Sequence, residues 1–267
     1  ELEEGYVEFS DVLSLVTMDE SSIGIAAIVG KKQLGIGKIN PLHPEQWDFV
    51  DRSVSTRQFF GDTHALAADG FQVMTLLPLS FFSQLEVGYW KSEKHEEGAG
   101  HSNVEYENRI LTGRLWNSFA LSDETELQLG LNYLLGNASG DTADQQNLMA
   151  VDLSYTQELG KEQSYTLLAE YYDAKYGEEG EAREKQSGYF ISGVYQFDAY
   201  YDAGVRYSHL SKHGDEGNEK SQYSFMLTRQ LTDTSKFRVQ YNTGTNVEDT
   251  ILAQFIFGMG PHSHVLQ

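Results

Sequence analysis

Eight histidines, at positions 43, 64, 95, 101, 209, 213, 262 and 264 of an acid-rich chain, are the side chains best suited to chemistry. A zinc site needs three or four nitrogen, oxygen or sulfur ligands at roughly 2.0 to 2.3 Å from the metal. His262 and His264 supply two, and His43 with Asp48, Asp51 or His64 could form a second cluster. A C-terminal tail explains the first pair without metal, and loop-packing hydrogen bonds explain the second group. His95, His101, His209 and His213 fall on predicted outer loops among carboxylates and read as surface histidines. Covalent catalysis has less behind it. Neither Gly-x-Ser-x-Gly nor His-Glu-x-x-His occurs, and His209 beside Ser208, or Ser263 between two histidines, offers residue types without a motif. Gly35-Ile36-Gly37 runs from a strand into a loop rather than into a helix, so it is no dinucleotide fingerprint. The chain reads as a non-enzyme.

Strands must position these groups. Leu127 to Leu135 reads Leu-Gln-Leu-Gly-Leu-Asn-Tyr-Leu-Leu, a strand with two unlike faces. Val151, Leu153 and Tyr155 against Asp152, Ser154 and Thr156 repeat the pattern, as do Phe237, Val239 and Tyr241 against Arg238, Gln240 and Asn242. Such segments predict about thirteen strands, near 5–15, 22–36, 70–78, 82–91, 106–119, 125–136, 147–158, 163–175, 186–198, 200–211, 220–231, 235–244 and 249–259. Short connections at 78–82, 121–125, 159–163, 198–200 and 232–235 alternate with long ones at 39–70, 92–105, 136–146, 177–185 and 212–219. That alternation predicts an all-β, antiparallel transmembrane β-barrel with periplasmic turns and extracellular loops. Glu86, Arg114, Asp152, Glu170, Arg206 and Arg238 must then face the lumen, because each basic residue turned to mid-membrane lipid costs about 2–4 kcal/mol. Tyr89, Trp90, Tyr171, Tyr172, Tyr195, Phe197, Tyr200, Tyr201 and Tyr207 lie near strand ends and are expected in an interfacial girdle.

Composition agrees. No run of 18 apolar residues exists, which excludes a helical membrane span, and a mean hydropathy of −0.45 suits strands that are only half apolar. A formal charge of −21 argues against a nucleic-acid partner. Cysteine is absent, so thiol chemistry, thiolate metal sites and disulfides are excluded. The 16 Tyr, 14 Phe and 3 Trp recur in patterned strands, unlike a disordered chain. No composition break divides residues 1–267, which read as a single domain. The first residues lack a basic flank and an apolar stretch, so any export signal has been removed or was never included. The partners expected of such a barrel are outer-membrane lipid and lipopolysaccharide, small solutes or metal ions, and a second copy of the chain, since an apolar wall serves lipid or subunit alike.

The longest connection carries the most distinctive text. From Gly37 it reads Gly-Lys-Ile-Asn-Pro-Leu-His-Pro-Glu-Gln-Trp-Asp-Phe-Val-Asp-Arg. Two prolines make it poor strand material, and its Trp and Phe make it too apolar for a free loop. Residues 40–69 are expected to fold inward as a pore constriction, with Lys38, Arg52 and Arg57 set against Glu45, Asp48 and Asp51.

This stretch, above all Asn40-Pro41-Leu42-His43-Pro44, resembles a bacterial family often labelled zinc-regulated, TonB-dependent outer-membrane receptors, whose barrels look like porins. The resemblance continues at Phe60-Gly61-Asp62, Ala68-Asp69-Gly70, Leu76-Leu77-Pro78-Leu79 and Phe257-Gly258-Met259-Gly260-Pro261-His262-Ser263-His264. It runs in order from Glu3-Glu4-Gly5-Tyr6 to the end. Glu45 stands where the family has a second His, Ser53 where it has Pro, and a terminal aromatic is missing; the first departure weakens a metal role for the loop. The resemblance implies a porin-like channel of the bacterial outer membrane for passive diffusion of small solutes or ions, linked to uptake of zinc or another divalent metal. It also implies strands before Glu3, so that the thirteen belong to a roughly sixteen-strand barrel lacking its N-terminal strands. A TonB-dependent metal receptor is the alternative the family's label carries, although a plug within a roughly 22-stranded barrel does not fit this length. A structural or adhesive barrel is the third reading.

Overall fold

The computed structural model describes residues 4–17, 24–62, 65–92, 106–137, 145–176, 184–212, 217–232 and 234–258. Thirteen strands form one antiparallel sheet in which each strand pairs with the next in sequence. They are β1 Gly5–Phe9, β2 Ile25–Gln33, β3 Ala67–Leu76, β4 Phe82–Ser92, β5 Glu107–Ser122, β6 Thr125–Asn137 and β7 Gln145–Glu158, followed by β8 Ser164–Tyr176, β9 Glu184–Gln196, β10 Tyr201–Leu210, β11 Lys220–Thr232, β12 Ser235–Thr245 and β13 Thr250–Phe257. β1 and β13 are the two edges, and among the described residues neither pairs with a further strand.

β1 and β2 end furthest short of the pattern. β1 stops at Phe9 because the Asp11 carboxylate accepts from the backbone N–H groups of Leu13 and Ser14 at 3.1 and 3.3 Å. That N-cap turns the chain into helix α1, Val12–Thr17. β2 ends at Gln33, and one further bond in the same register, from the Leu34 N–H to the carbonyl of Leu66 at 2.8 Å, closes its ladder with β3. The segment between β2 and β3 is therefore 34–66, not 40–69.

The sheet curls around this segment, and its two faces differ as period-two alternation requires. On the convex face Val205, Ile191 and Leu227 are each more than half exposed, while Asn132, Gln240 and Asn242 on the concave face are buried. Tyr89, Tyr171 and Tyr207 take the convex face in phase with those aliphatic residues. Trp90 and Tyr172 do not: both are fully buried on the concave face, a correction to their expected girdle position. Each follows a convex tyrosine by one residue, and one step along a strand reverses the side.

The apolar core lies inside the curl. Leu34, Ile36, Val54, Phe59 and Phe60 of the segment pack with Trp90, Ile110, Leu134, Leu148, Tyr172 and Leu210 of the strands. These strand positions all sit toward the long connections. The charged residues of the concave face lie below, nearer the short turns.

Candidate functional site: the inserted segment

Asn40 closes the neck of the segment. It is fully buried; its amide donates to the carbonyl of Leu34 at 2.7 Å, and its oxygen accepts from the Leu66 N–H at 3.1 Å. One side chain thus joins both stems. Pro44–Gln46 then forms a short 3₁₀ turn, with the His43 N–H donating to Gln46 Oε1 at 3.0 Å. Trp47 folds back to donate from its indole N–H to the carbonyl of Leu42 at 3.0 Å. Ser53 caps helix α2, Val54–Phe60, by accepting from the Thr56 N–H at 3.0 Å.

Two groups of strand residues fasten the segment to the concave wall. The first grips its beginning. Glu170 of β8 accepts from the backbone N–H groups of Lys38 and Ile39 at 2.6 and 2.9 Å, and from the Tyr172 hydroxyl. Lys38 Nζ donates to Gln128 of β6 and Ser154 of β7 at 2.8 and 3.0 Å. Burial lowers the Lys38 pKa, with Asp152 and Glu126 opposing. Gly37 sits at φ +69°, and a Cβ there would lie 2.9 Å from Glu170 Oε2. Both the left-handed backbone and the close approach call for glycine.

The second group grips residues 45–51. Arg206 of β10 donates to the carbonyl of Asp51 at 2.7 Å and to its Oδ1 at 2.5 Å, and its guanidinium stacks 4.5 Å from the Phe49 ring centroid. Gln240 and Asn242 of β12 donate to the two oxygens of the same carboxylate at 2.6 and 2.8 Å. Gln240 also accepts from the Val50 N–H at 2.6 Å. Arg238 holds the carbonyl of Trp47 at 2.6 Å, and Lys236 that of Glu45 at 2.9 Å. Burial pushes the Asp51 carboxyl up, but Arg206 and the hydrogen bonds from Gln240 and Arg206 outweigh it and hold its pKa below the ordinary carboxylate value. At Asp48 burial prevails and holds the pKa above that value, against the pull of Arg238.

Glu86, Arg114, Asp152, Glu170, Arg206 and Arg238 all stand on the concave face, but they divide by environment. Asp152, Glu170, Arg206 and Arg238 are nearly fully buried, covered by the segment. Glu86 receives Gln72 and Gln84 at 2.6 and 3.1 Å, and Arg114 approaches Asp152 at 3.6 Å. Of the residues expected to set opposed charges on the segment, Glu45 is exposed and Arg57 half-buried. Arg52 departs from that expectation. It is buried beneath the Trp47 ring at 4.8 Å and donates to the carbonyls of Asn40 and Gly61, both at 3.4 Å. The segment's own interior encloses the cation, and burial draws its pKa down to about 10. Between segment and wall, beside Asp48, Asp51 and Arg206, remains a cavity of only about 20 Å³, room for one water.

Of the eight histidines only His43 and His209 lie among the described residues. His43 Nε2 lies 3.1 Å from Glu4 Oε2 and its Nδ1 3.4 Å from Gln33 Nε2. Among the described residues no group of three His, Asp or Glu converges on a metal position. His64, His262 and His264 lie outside the described residues. The residues that sequence reasoning missed are neutral amides and hydroxyls: Asn40, Gln128, Ser154, Gln240 and Asn242. Their only signal was polarity on the inward parity of a strand, or membership of the Asn-Pro-Leu-His-Pro text.

No protein-family model matches the chain. An uncharacterized protein of Aquifex aeolicus is 24% identical over 90% of this chain. The chain spans 60% of the length of that relative. Solved structures resemble it at lower identity. An anion-selective porin from Comamonas acidovorans superposes with a TM-score of 0.54 at 11% identity, over 87% of this chain and 69% of the porin. The outer-membrane channel DcaP of Acinetobacter baumannii gives 0.51 at 12% identity, over 88% and 71%. OmpT of Vibrio cholerae, an outer-membrane protein, gives 0.51 at 11% identity, over 95% and 77%. A sequential antiparallel sheet of thirteen strands, with an apolar convex face and curled around a tethered insertion, thus resembles the folds of outer-membrane porins.

Proposed function

We propose that this chain forms most of the wall, and the internal constriction, of an outer-membrane channel for passive diffusion of small solutes or ions. The observation that carries the reading is the double tether of residues 34–66. Glu170 grips one part and Arg206 with Gln240 the other, so the segment is held across the concave face while the convex face stays apolar. An apolar sheet face of this extent requires a non-aqueous neighbour, and lipid is the neighbour a porin fold meets. Unpaired edges are costly in lipid, so β1 and β13 are joined by further strands into a barrel of about sixteen. Solute passes the segment on the side away from β8 to β12, where the packing leaves room for a single water. Glu86, Arg114 and Glu45 are the charges that such a solute would meet.

Single-channel recording in planar bilayers tests this reading. Discrete, ohmic, ion-permeable openings are expected. Energy-dependent uptake without conductance would replace the reading with a TonB-dependent receptor, and neither activity would favour a structural barrel. A link to zinc rests on the resemblance and on one His43–Glu4 pair, which is fewer ligands than a zinc site needs. Calorimetric zinc titration of the chain and of His43→Ala tests that link, and equal binding by both removes His43 from it.

A further inference from the structure

The convex face carries basic pairs where a β-sheet does not ordinarily place them. Lys91 of β4 stands directly opposite Arg109 of β5, and Lys175 of β8 directly opposite Lys185 of β9. All four lie on the convex parity, in phase with Tyr89, Leu111, Tyr171 and Tyr189. Like charges directly across a ladder repel and destabilise the pair. None of the four makes an ion pair with the described residues. The chain holds 40 acidic residues against 19 basic ones, so two cation–cation pairs on one surface run against its composition.

Their level on the sheet says what they meet. Lys91 and Arg109 lie one convex step beyond the Tyr89–Leu111 pair, toward the long connections. Lys175 and Lys185 lie two such steps beyond the Tyr171–Tyr189 pair, toward the same end. One step is about 6.6 Å, so Lys91–Arg109 stand about 6.6 Å and Lys175–Lys185 about 13 Å beyond their aromatic neighbours, on the headgroup side of the aromatic row. The row continues through Asp69, which separates Lys31 from Lys91. At the short-turn end, Arg229 is the only basic residue on the convex parity of the described strands; it faces Tyr201 and Phe237 and stacks 5.8 Å from the Tyr201 ring centroid. The cationic pairs are thus confined to one rim, the one bearing the long connections, which in outer-membrane barrels faces the cell exterior.

We infer that Lys91–Arg109 and Lys175–Lys185 are two binding sites for the phosphate groups of an anionic glycolipid of the outer leaflet, of the lipid A type. A phosphate placed between each pair turns a like-charge repulsion into two charge-assisted hydrogen bonds. This inference rests on the outer-membrane orientation proposed above.

The full chain, folded in neutral detergent, would be mixed with bis-phosphorylated lipid A, its dephosphorylated form, or phosphatidylglycerol, and retained lipid counted by native mass spectrometry. Two molecules of bis-phosphorylated lipid A are expected per chain. Lys91→Gln with Arg109→Gln, or Lys175→Gln with Lys185→Gln, should each remove one of them, so that the count falls from two to one. Arg229→Gln serves as the control and should change nothing. Equal retention by the four-residue variant and the parent would overturn the proposal, as would equal retention of phosphatidylglycerol. Heat-modifiable gel migration, scored on every variant, reports folding. Protease protection in neutral phosphatidylcholine vesicles reports insertion, so failure of the membrane reading is seen separately from failure of the lipid sites.

Discussion

Asp51 and Arg206, 155 positions apart in the chain, meet through a 2.5 Å ion pair and a second bond from the guanidinium to the Asp51 carbonyl. Gln240 and Asn242 complete the carboxylate's partners. This latch joins the segment to strands that follow it by more than a hundred residues, and with Arg238 on the Trp47 carbonyl and Lys236 on that of Glu45 it fastens residues 45–51 to the wall.

Removing the cation should release that part of the segment. Breaking one partner of a buried pair costs about 3–5 kcal/mol, because the other charge is left unpaired. Arg206→Gln is therefore expected to raise single-channel conductance and current noise while heat-modifiable migration persists. Unchanged conductance and noise would mean that the latch does not hold the constriction.

The latch also sets a pH dependence. The Asp51 pKa is held below its ordinary value, which is about 3.9 in an unfolded chain. Its contribution is then fully present above that value and is lost as pH falls through the depressed one. The difference in conductance between the parent and Arg206→Gln should therefore stay level from about pH 8 to about pH 5 and narrow only in strongly acid solution. A transition near pH 6 would point to another group.

Gly37→Ala should unseat the other tether. The left-handed φ and the 2.9 Å approach to Glu170 Oε2 together cost about 1–3 kcal/mol, and the backbone bonds of Lys38 and Ile39 to Glu170 would lengthen. The thermal transition should fall by several degrees, measured by circular dichroism. A variant as stable as the parent would show that the Lys38–Ile39 grip contributes little.

Tryptophan fluorescence tests the register. Trp47 lies in the segment, and Trp90 and Trp116 take the concave parity, so none faces outward. Lipids brominated along their acyl chains should quench the emission only weakly. Strong quenching would reverse the assigned faces of β4 and β5.

The strands could be read from the sequence because each carries its two environments in its own alternation. Leu127, Leu129 and Leu131 against Gln128, Gly130 and Asn132 need no distant partner to declare which side is apolar. The same parity put Glu86, Arg114, Asp152, Glu170, Arg206 and Arg238 on one face, and the prolines and Trp47 marked residues 37–52 as a segment that packs. Local text misled where a single residue changed the outcome. Asp11 capped a helix inside an expected strand, and Trp90 and Tyr172, judged by residue type and nearness to a strand end, were one step out of phase with the convex face.

What the tertiary structure alone decided is which inward groups meet the segment and which stay half-open. Asp152, Glu170, Arg206 and Arg238 are covered, Arg52 is enclosed within the segment, and Glu86 and Arg114 are less completely buried. Those outcomes depend on contacts such as Arg206 to Asp51 and Gln240 to Val50, between residues more than 150 positions apart. Periodicity reports the side of a strand a residue occupies; only the curl of the sheet determines what stands opposite.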